Sequence, residues 1–301
     1  MIDSTVNQTA TNVRARTEAR AIAQSQGPSR NMIPQVIAFV VLLIAAGLWI
    51  IPLAWAVDTA LKPESETTTV PISWIPSHFT LDAFVKVLSA GGILRWYLNS
   101  AITSIIITVA TVVLASMAAY GFSRVRFPAK GFLFWLIMAG IMVPPQILIV
   151  PLFTEINAFR MVDTYWGIIL PQIAAPFAVF ILKQFFDGIP HELGEAAIVD
   201  GASQFRVFWQ IWLPLARPAL AAVAIFTFVA SWNNFIWPFI AITNTNMMTI
   251  PVGLANVQSA YGIHYAQIMA SAVLGGIPLL IVFMFFQKQI VQGIAGTGLK
   301  G

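Results

Sequence analysis

The side chains that could carry chemistry in this 301-residue sequence are few and scattered. The three histidines, His78, His191 and His264, show no metal-ligand spacing, and no cysteine could serve as a thiolate ligand, nucleophile or disulfide partner. The sequence contains neither a GxxxxGK[ST] phosphate-binding loop nor a GxSxG nucleophile elbow. We therefore predict no catalytic residue, no metal site and no ATP hydrolysis by this chain itself.

The acidic residues are poorly placed for chemistry inside a membrane. All twelve lie in predicted loops or at the ends of apolar runs, whereas ion-coupled carriers usually keep charged groups within their spans. Sodium can also bind to backbone carbonyls alone. The distribution therefore argues against a secondary transporter without excluding one.

One amphipathic stretch, EAAIVDGASQFRVFWQIWLP at 195–214, interrupts the apolar sequence. Ala196 and Ala197 favour helix, Gly201 permits a turn or a close backbone approach, and a helix can resume from Arg206. Two short helices at an angle would form a rigid knob suited to docking into a groove on another protein. An ordinary interfacial helix that links two spans is the second interpretation that the residue types leave open.

The predicted docking surface is built from the polar and small residues of this stretch. Glu195 would bond a basic group of the partner or cap a backbone amide, and the sequence does not decide between the two. For Asp200 and Arg206, solvation or mutual pairing is an alternative to contact with a partner. The predicted docking residues are Glu195, Ala196, Ala197, Asp200, Gly201 and Arg206.

A second polar feature lies in the apolar run AIFTFVASWNNFIWPFIAI at 224–242. Asn233 and Asn234 are adjacent amides within a predicted span, where exposure to lipid would be costly. Amides beside the flat faces of Trp232 and Trp237 would suit the hydroxyls and C–H faces of a neutral sugar. These four residues are the predicted substrate path, and helix packing through the amides is the alternative.

The elements that position these residues follow from composition. Hydrophobic residues make up 58% of the chain and charged residues 9%, against roughly 25% charged residues in a soluble domain. A span needs roughly 20 apolar residues. We predict an all-α membrane protein with six transmembrane helices at about 34–57, 97–122, 131–153, 164–183, 216–240 and 266–290.

The basic residues predict the orientation of these spans and argue against nucleic acid. With the N-terminus in the cytoplasm, 12 of the 16 Lys and Arg residues lie on the cytoplasmic side and 4 lie outside. Both termini are then cytoplasmic, and the 190–214 loop faces the cytoplasm. The formal charge of +4 comes from residues at the ends of apolar runs without interleaved aromatics, so no nucleic-acid partner is predicted.

Two segments lie outside the six spans and the 190–214 loop. Residues 1–30 are polar and are predicted to form a flexible cytoplasmic tail ahead of a permease domain at 31–301. The predicted outer loop at 58–96 has room for a short helix at about 80–90. The loop either packs as an external cap or merely connects two spans, and the sequence leaves both open.

The spacing EAA-x3-G-x9-I-x-LP at 195–214 resembles the signature loop of the membrane subunits of bacterial ABC importers. Three further stretches are similar to the carbohydrate branch of that family, whose second permease subunit is MalG-like. They are YLNSAITSIIITVATVVLASMAAYGFSRVRFPAKG at 97–131, SWNNFIWPF at 231–239 and FFQKQIVQGIAGTGLKG at 285–301. The likeness covers about residues 35–301.

The resemblance implies a fold, a set of partners and a function. The fold is the ABC importer type I permease fold, embedded in the lipid bilayer of the bacterial cytoplasmic membrane. The partners are a second permease subunit in a heterodimer, two ATP-binding cassette subunits that bind ATP and Mg, and an external solute-binding protein. No cofactor is expected on this chain itself. The solute is expected to be a sugar or a related polyol or glycerol phosphodiester, imported through ATPase closure transmitted by the 190–214 loop.

Three rival functions remain as alternatives. The first is an ABC permease for a non-sugar solute such as an amino acid, which would keep every feature except the substrate. The second is an ion-coupled secondary transporter, in which an uncoupler would abolish uptake while ATP stays constant. The third is a membrane-embedded enzyme, which would require clustered polar catalytic groups that the sequence does not contain.

Overall fold

A computed structural model describes residues 32–71, 73–89, 91–261 and 263–298, and the predicted tail at 1–30 lies outside the described residues. Within the described ranges the chain is helical and has no β-strand. The α-helices are α1 Met32–Ala60, α2 Asp82–Ser89, α3 Ile93–Arg124, α4 Lys130–Ile141, α5 Ile149–Ala158, α6 Tyr165–Ile173, α7 Pro176–Asp187, α8 Glu192–Val199, α9 Gln204–Val207, α10 Leu213–Leu215, α11 Arg217–Trp232, α12 Ile236–Ala241, α13 Ile250–Tyr261 and α14 Tyr265–Gly298. Single turns of 3₁₀-helix lie at Glu64–Glu66, Pro145–Leu148 and Thr245–Met247, and a π-helical turn lies at Phe208–Trp212.

The chain divides into two compact units, Met1–Trp55 and Ala56–Gly301. The described part of the first unit is helix α1 up to Trp55. Its apolar side chains are exposed along the helix, with Leu42 at 67% and Trp49 at 81%. An apolar helix of 29 residues is long enough to cross the hydrocarbon of a bilayer.

Helix α3 is the axis of the second unit, where it packs against α6, α7, α11 and α13. Its buried face repeats every three or four residues and is rich in small side chains such as Ser100, Ser104, Ala115 and Ala119. Small residues on one face let neighbouring helix backbones approach closely, as is typical of helix packing in membranes.

Two hydrophobic clusters lie at opposite ends of α3. The first surrounds Trp96 and includes Trp232 and Trp237. The second surrounds Tyr120 and includes Phe186 and Trp212. The second cluster contains the inward side of the predicted docking segment, so this segment is part of the folded core.

Among the described residues, three helices are long and apolar enough to span a membrane, and up to six spans result if each of three bent helix pairs is one span. Helices α4 and α5 meet at 92° around Pro144 and Pro145, and α6 and α7 meet at 44°. The predicted spans at 131–153 and 164–183 are therefore broken rather than straight. Proline causes such breaks because it removes a backbone donor and its ring clashes with the preceding turn.

The predicted span at 216–240 also differs from the observed helices. Helix α11 ends at Trp232, and α12 begins at Ile236 after a break of three residues. The third bent pair is instead formed by 204–215 and α11, which meet at 78°. Hydropathy favoured an unbroken helix because the polar residues at the break are too few to lower a window average.

The predicted outer loop at 58–96 contains helix α2 at Asp82–Ser89, which confirms the predicted helix. Ala83 and Val87 of α2 are buried, and α2 packs against α14. The Glu64 carboxylate accepts backbone N–H bonds from Tyr265 at 2.6 Å and Ala266 at 3.1 Å. The loop is therefore packed as a cap on the start of α14, and the interpretation as a mere connector is wrong.

Candidate functional site

The predicted docking segment is a helix–turn–helix knob. Helix α8 ends in a turn in which Ala202 N donates to Ala197 O at 2.9 Å and Gly201 N donates to Ile198 O at 3.0 Å. Gly201 has a φ of +84°. This is the Schellman pattern of helix termination, which glycine favours because left-handed φ is strained for other residues. The Ser203 side chain then accepts from Arg206 N at 3.3 Å and caps α9.

The predicted docking residues lie on two sides of this knob. Glu195, Ala196, Asp200, Gly201 and Arg206 are exposed. Ala197 is partly buried against the cluster around Tyr120, so this side chain supports the knob from within. The docking role of the exposed residues stays a prediction.

The knob is fixed to the spans by an aromatic contact. Trp212 is only 2% exposed, and its ring centroid lies 6.1 Å from that of Phe186 on α7 and 6.2 Å from that of Tyr120 on α3. Gly194 of α8 is buried against the indole, and a Cβ at this position would lie 3.4 Å from the Trp212 ring, in ordinary van der Waals contact. Tyr120 also donates its hydroxyl to Gln204 Oε1 at 2.8 Å.

The Arg124 side chain connects the knob to the ends of α3 and α7 through hydrogen bonds and a cation–π contact. Its guanidinium lies 4.1 Å from the Trp212 ring centroid and donates to the carbonyls of Phe186 and Ile189, the latter at 2.6 Å. One cation therefore holds the end of α3, the end of α7 and the knob at the same point. Hydrogen bonds from charged donors and cation–π contacts are stronger than their neutral counterparts when partly buried.

Sequence reasoning used Arg124 only to predict topology, and it did not identify Trp212, Gly194 or Tyr120. A signal was present for Trp212, because Phe208 and Trp212 lie four residues apart on the inward face of an amphipathic segment. Nothing in the local sequence indicates the contact with Arg124, because the two residues are far apart along the chain.

The predicted substrate path lies at the break between α11 and α12. Asn233 ends α11, and its side chain donates to Val229 O at 3.0 Å within its own helix. Asn234 Oδ1 accepts from Trp237 N at 3.4 Å, which helps to start α12. The amides therefore provide bonding partners for the backbone where the helix is interrupted.

Asn234 also faces two cavities. Its Nδ2 donates to Gln172 Oε1 at 2.7 Å, and both residues line a cavity of about 430 Å³ and a neighbouring cavity of about 200 Å³. The larger cavity is otherwise mostly apolar and reaches Ile107 in the middle of α3. The sequence did not identify Gln172, whose hydrogen bond to Asn234 crosses between two broken spans.

Asn233 faces a different space. It is exposed and lines a third cavity of about 360 Å³ together with Trp232 and residues of α13 and α14. The indoles of Trp232 and Trp237 are buried, and they donate to Gly275 O at 3.2 Å and Gly167 O at 3.0 Å. Both tryptophans therefore also hold helices together, whether or not a solute touches their rings.

The loop after α12 is held by polar contacts at the opposite end of the unit from the knob. Asn99 is fully buried, and its Nδ2 donates to the carbonyls of Asn246 at 2.9 Å and Met248 at 2.8 Å. Asp163 accepts from the Thr243 hydroxyl at 2.6 Å and from the amides of Thr243 at 2.6 Å and Asn244 at 2.8 Å. Burial alone would raise the pKa of Asp163, but these hydrogen bonds outweigh it and hold the pKa below its usual range.

Comparison with known proteins places this geometry in a family. Residues 111–296 match the model of the binding-protein-dependent transport system inner membrane component. The arabinooligosaccharide transport system permease protein AraQ of Halalkalibacterium halodurans is 37% identical over 255 residues, which cover 84% of this chain and 91% of that protein. The sn-glycerol-3-phosphate transport system permease protein UgpE of Yersinia enterocolitica is 32% identical over 272 residues, covering 87% and 96%.

A solved structure shares the fold. A bacterial ABC transporter involved in the import of the acidic polysaccharide alginate matches with a TM-score of 0.75 at 20% identity, over 86% of this chain and 98% of that chain. The resemblance inferred from the sequence, together with the predicted all-α permease fold, is confirmed.

Proposed function

Because the chain belongs to the family of binding-protein-dependent transport system inner membrane components, we propose that it is a permease subunit of an ATP-driven importer of a carbohydrate or a related polyol or glycerol phosphodiester. Relatives named for the transport of arabinooligosaccharides and of sn-glycerol-3-phosphate support this solute class. The chain is a transport subunit, and ATP hydrolysis with Mg is assigned to partner subunits.

The observation that carries the coupling role is the rigid knob at 190–214. Its exposed turn at Gly201 is followed by a helix whose Trp212 is 2% exposed and packs against the ends of α3 and α7. A knob fixed in this way can transmit displacement into the spans, whereas a loose loop would dissipate it. We assign the exposed Glu195, Ala196 and Gly201 to contact with an ATPase subunit.

The proposed assembly contains this chain, a second and different permease, two ATPase subunits and an external solute-binding protein. In this arrangement the knob and both termini lie on the cytoplasmic side of the bacterial inner membrane. The cap formed by 58–96 lies on the outer side. The unequal distribution of basic residues supports this orientation.

The proposed solute route passes the cavity lined by Asn234 and Gln172. Their amides are polar groups in a space bordered mainly by apolar side chains, an arrangement that suits a neutral polyhydroxylated solute. Asn233, which bonds within its own helix, is assigned a lesser role in the route.

Replacement of Gly201 by Trp tests the docking role. A Cβ at Gly201 would meet nothing within 4 Å, so the new ring would project outwards and hold the knob out of a groove. We expect loss of uptake and of ATPase copurification while the subunit still inserts into the membrane. Gly91 is the matched control, because it also has a φ of +84° and nothing within 4 Å. Gly91→Trp therefore carries the same backbone strain but should keep the ATPase subunits bound.

Charge reversal at Glu195 provides a second, independent test. Glu195→Lys removes an acceptor and places an opposite charge in the proposed contact, where desolvation makes an unpaired charge costly. Lys86→Glu on α2 is the control for a charge reversal away from the knob. If Gly201→Trp and Glu195→Lys both support wild-type uptake with ATPase subunits bound, the docking assignment is wrong.

A further inference from the structure

The segment 204–215 runs across the direction of the span that follows it. It meets α11 at 78°, and its twelve residues have a length of about 18 Å at 1.5 Å per residue. Measured along the axis of α11, the far end of the segment therefore lies only about 4 Å from Arg217. If α11 crosses the bilayer, the whole segment therefore lies close to the depth at which α11 enters the membrane.

The segment has three distinct sides. Val207, Phe208 and Trp212 are buried against the protein core, while Arg206 is exposed. Positions 205 and 209 lie one helical turn apart on the flank between these two sides, at about 100° per residue. Phe205 and Trp209 occupy this flank with exposures of 66% and 48%, and their ring centroids lie 6.0 Å apart.

The charges beside this flank are basic. Arg206 and Arg217 are both exposed, and neither guanidinium forms an ion pair within the described part of the chain. Arginine pairs well with phosphate, and tryptophan is enriched where a membrane meets water because the indole has an apolar body and a polar N–H. An apolar aromatic flank with basic residues at one depth is the pattern of a helix that lies in a membrane interface.

We propose that Phe205 and Trp209 insert into the headgroup region of the bilayer and that Arg206 and Arg217 contact lipid phosphates. The segment would then be the membrane-facing part of the knob. The turn around Gly201, with Val199 at 86% exposure, would project away from the membrane. This inference rests on membrane crossing by α11 and does not depend on the solute or on the docking assignment.

The proposal is tested in the assembled transporter, reconstituted in vesicles of phosphatidylethanolamine and phosphatidylglycerol. This chain has no cysteine, so with cysteine-free partner subunits single labels can be attached through Trp209→Cys or Phe205→Cys. Val199→Cys is the matched control on the other side of the Gly201 turn. An environment-sensitive fluorophore at each position is then exposed to a water-soluble iodide quencher and to lipids with a nitroxide near the headgroup or near the chain end.

The expected result is a blue-shifted emission at 205 and 209. The headgroup nitroxide should quench these labels more strongly than the chain-end nitroxide, and iodide should quench them weakly. The label at 199 should be unaffected by both lipids. Strong iodide quenching of 205 and 209, with no quenching by either lipid, overturns the proposal. Protection of 205 and 209 by a protein subunit, without any lipid quenching, overturns it as well.

Lipid composition gives a measurement that needs no label. Replacing phosphatidylglycerol by a zwitterionic lipid should lower the thermal unfolding midpoint of the wild-type complex more than that of a double Arg206→Gln, Arg217→Gln variant. Equal shifts in the two proteins would contradict the proposed contact of these arginines with lipid phosphates.

Discussion

Asn233 and Asn234 are neighbours in sequence but face different spaces. Asn234 bonds Gln172 at 2.7 Å and borders the cavities of about 430 and 200 Å³. The Asn233 side chain instead donates to Val229 O of its own helix at 3.0 Å. Helical geometry alone predicts that adjacent side chains diverge by about 100°. The helix break explains which of the two amides reaches across to another span.

Replacement of the two amides should therefore have unequal effects. Asn234→Leu removes the bond to Gln172 and the acceptor for Trp237 N, so we expect a strong loss of solute uptake. Asn233→Leu should lower uptake mildly. In Asn234→Leu, ATPase activity stimulated by the binding protein should persist better than uptake. Normal uptake in both single variants and in the double variant would contradict a role in the solute route.

Arg124 is the residue on which the attachment of the knob most depends. Arg124→Lys keeps the charge but loses the planar guanidinium, whose Nη2 donates to two carbonyls and whose face covers the Trp212 ring. We expect a loss of up to about 1.5–3 kcal/mol of stability, the range for a hydrogen bond to a charged group. Thermal unfolding in detergent measures the loss. Arg126→Lys, at an exposed position two residues away, should leave the midpoint unchanged.

At the scale of elements, Asp163 fastens the start of the loop after α12. Its folded pKa lies below its ordinary value, so its stabilising contribution is fully present above the unfolded pKa of about 3.9. That contribution is lost as pH falls through the folded pKa. The loop should therefore loosen only below about pH 3.9.

Fluorescence anisotropy of a label at Thr245→Cys measures this loosening directly. Anisotropy should stay constant from neutral pH and then fall under acid conditions. Asp163→Asn has one acceptor oxygen where the carboxylate has two, so its anisotropy should be lower throughout and insensitive to acid. An acid transition of the same size in Asp163→Asn would show that another group fastens the loop.

Sequence patterns predicted the elements that depend on nearby residues. The knob could be predicted because its turn at Gly201 is closed by hydrogen bonds within residues 197–202. The helix break at Asn233 could not, because hydropathy averages over a window and because Gln172, which holds Asn234, lies far away in sequence. The contact between Arg124 and Trp212 could not be predicted either, because these residues also lie far apart along the chain. The helix break and the attachment of the knob both depend on contacts between residues that are distant in sequence. A single sequence does not show which of these residues are in contact.

At the scale of the whole molecule, orientation in the membrane remains a prediction from basic residues. Single cysteines at Val199 and Ile75, which are 86% and 79% exposed, would report this orientation. A membrane-impermeant thiol reagent added to intact cells should label position 75 and leave 199 unlabelled. Labelling of 199 without 75 would reverse the topology.

Helix α3 carries one hydrophobic cluster at each end, and its 32 residues give it a length of about 48 Å. It can therefore act as a lever arm. A tilt of about 5° at the end held by Arg124 would sweep the opposite end through about 4 Å. That opposite end bears Asn99, which holds the loop carbonyls of Asn246 and Met248. A small angular change at the Arg124 end would thus become a displacement of about 4 Å at the end that holds this loop.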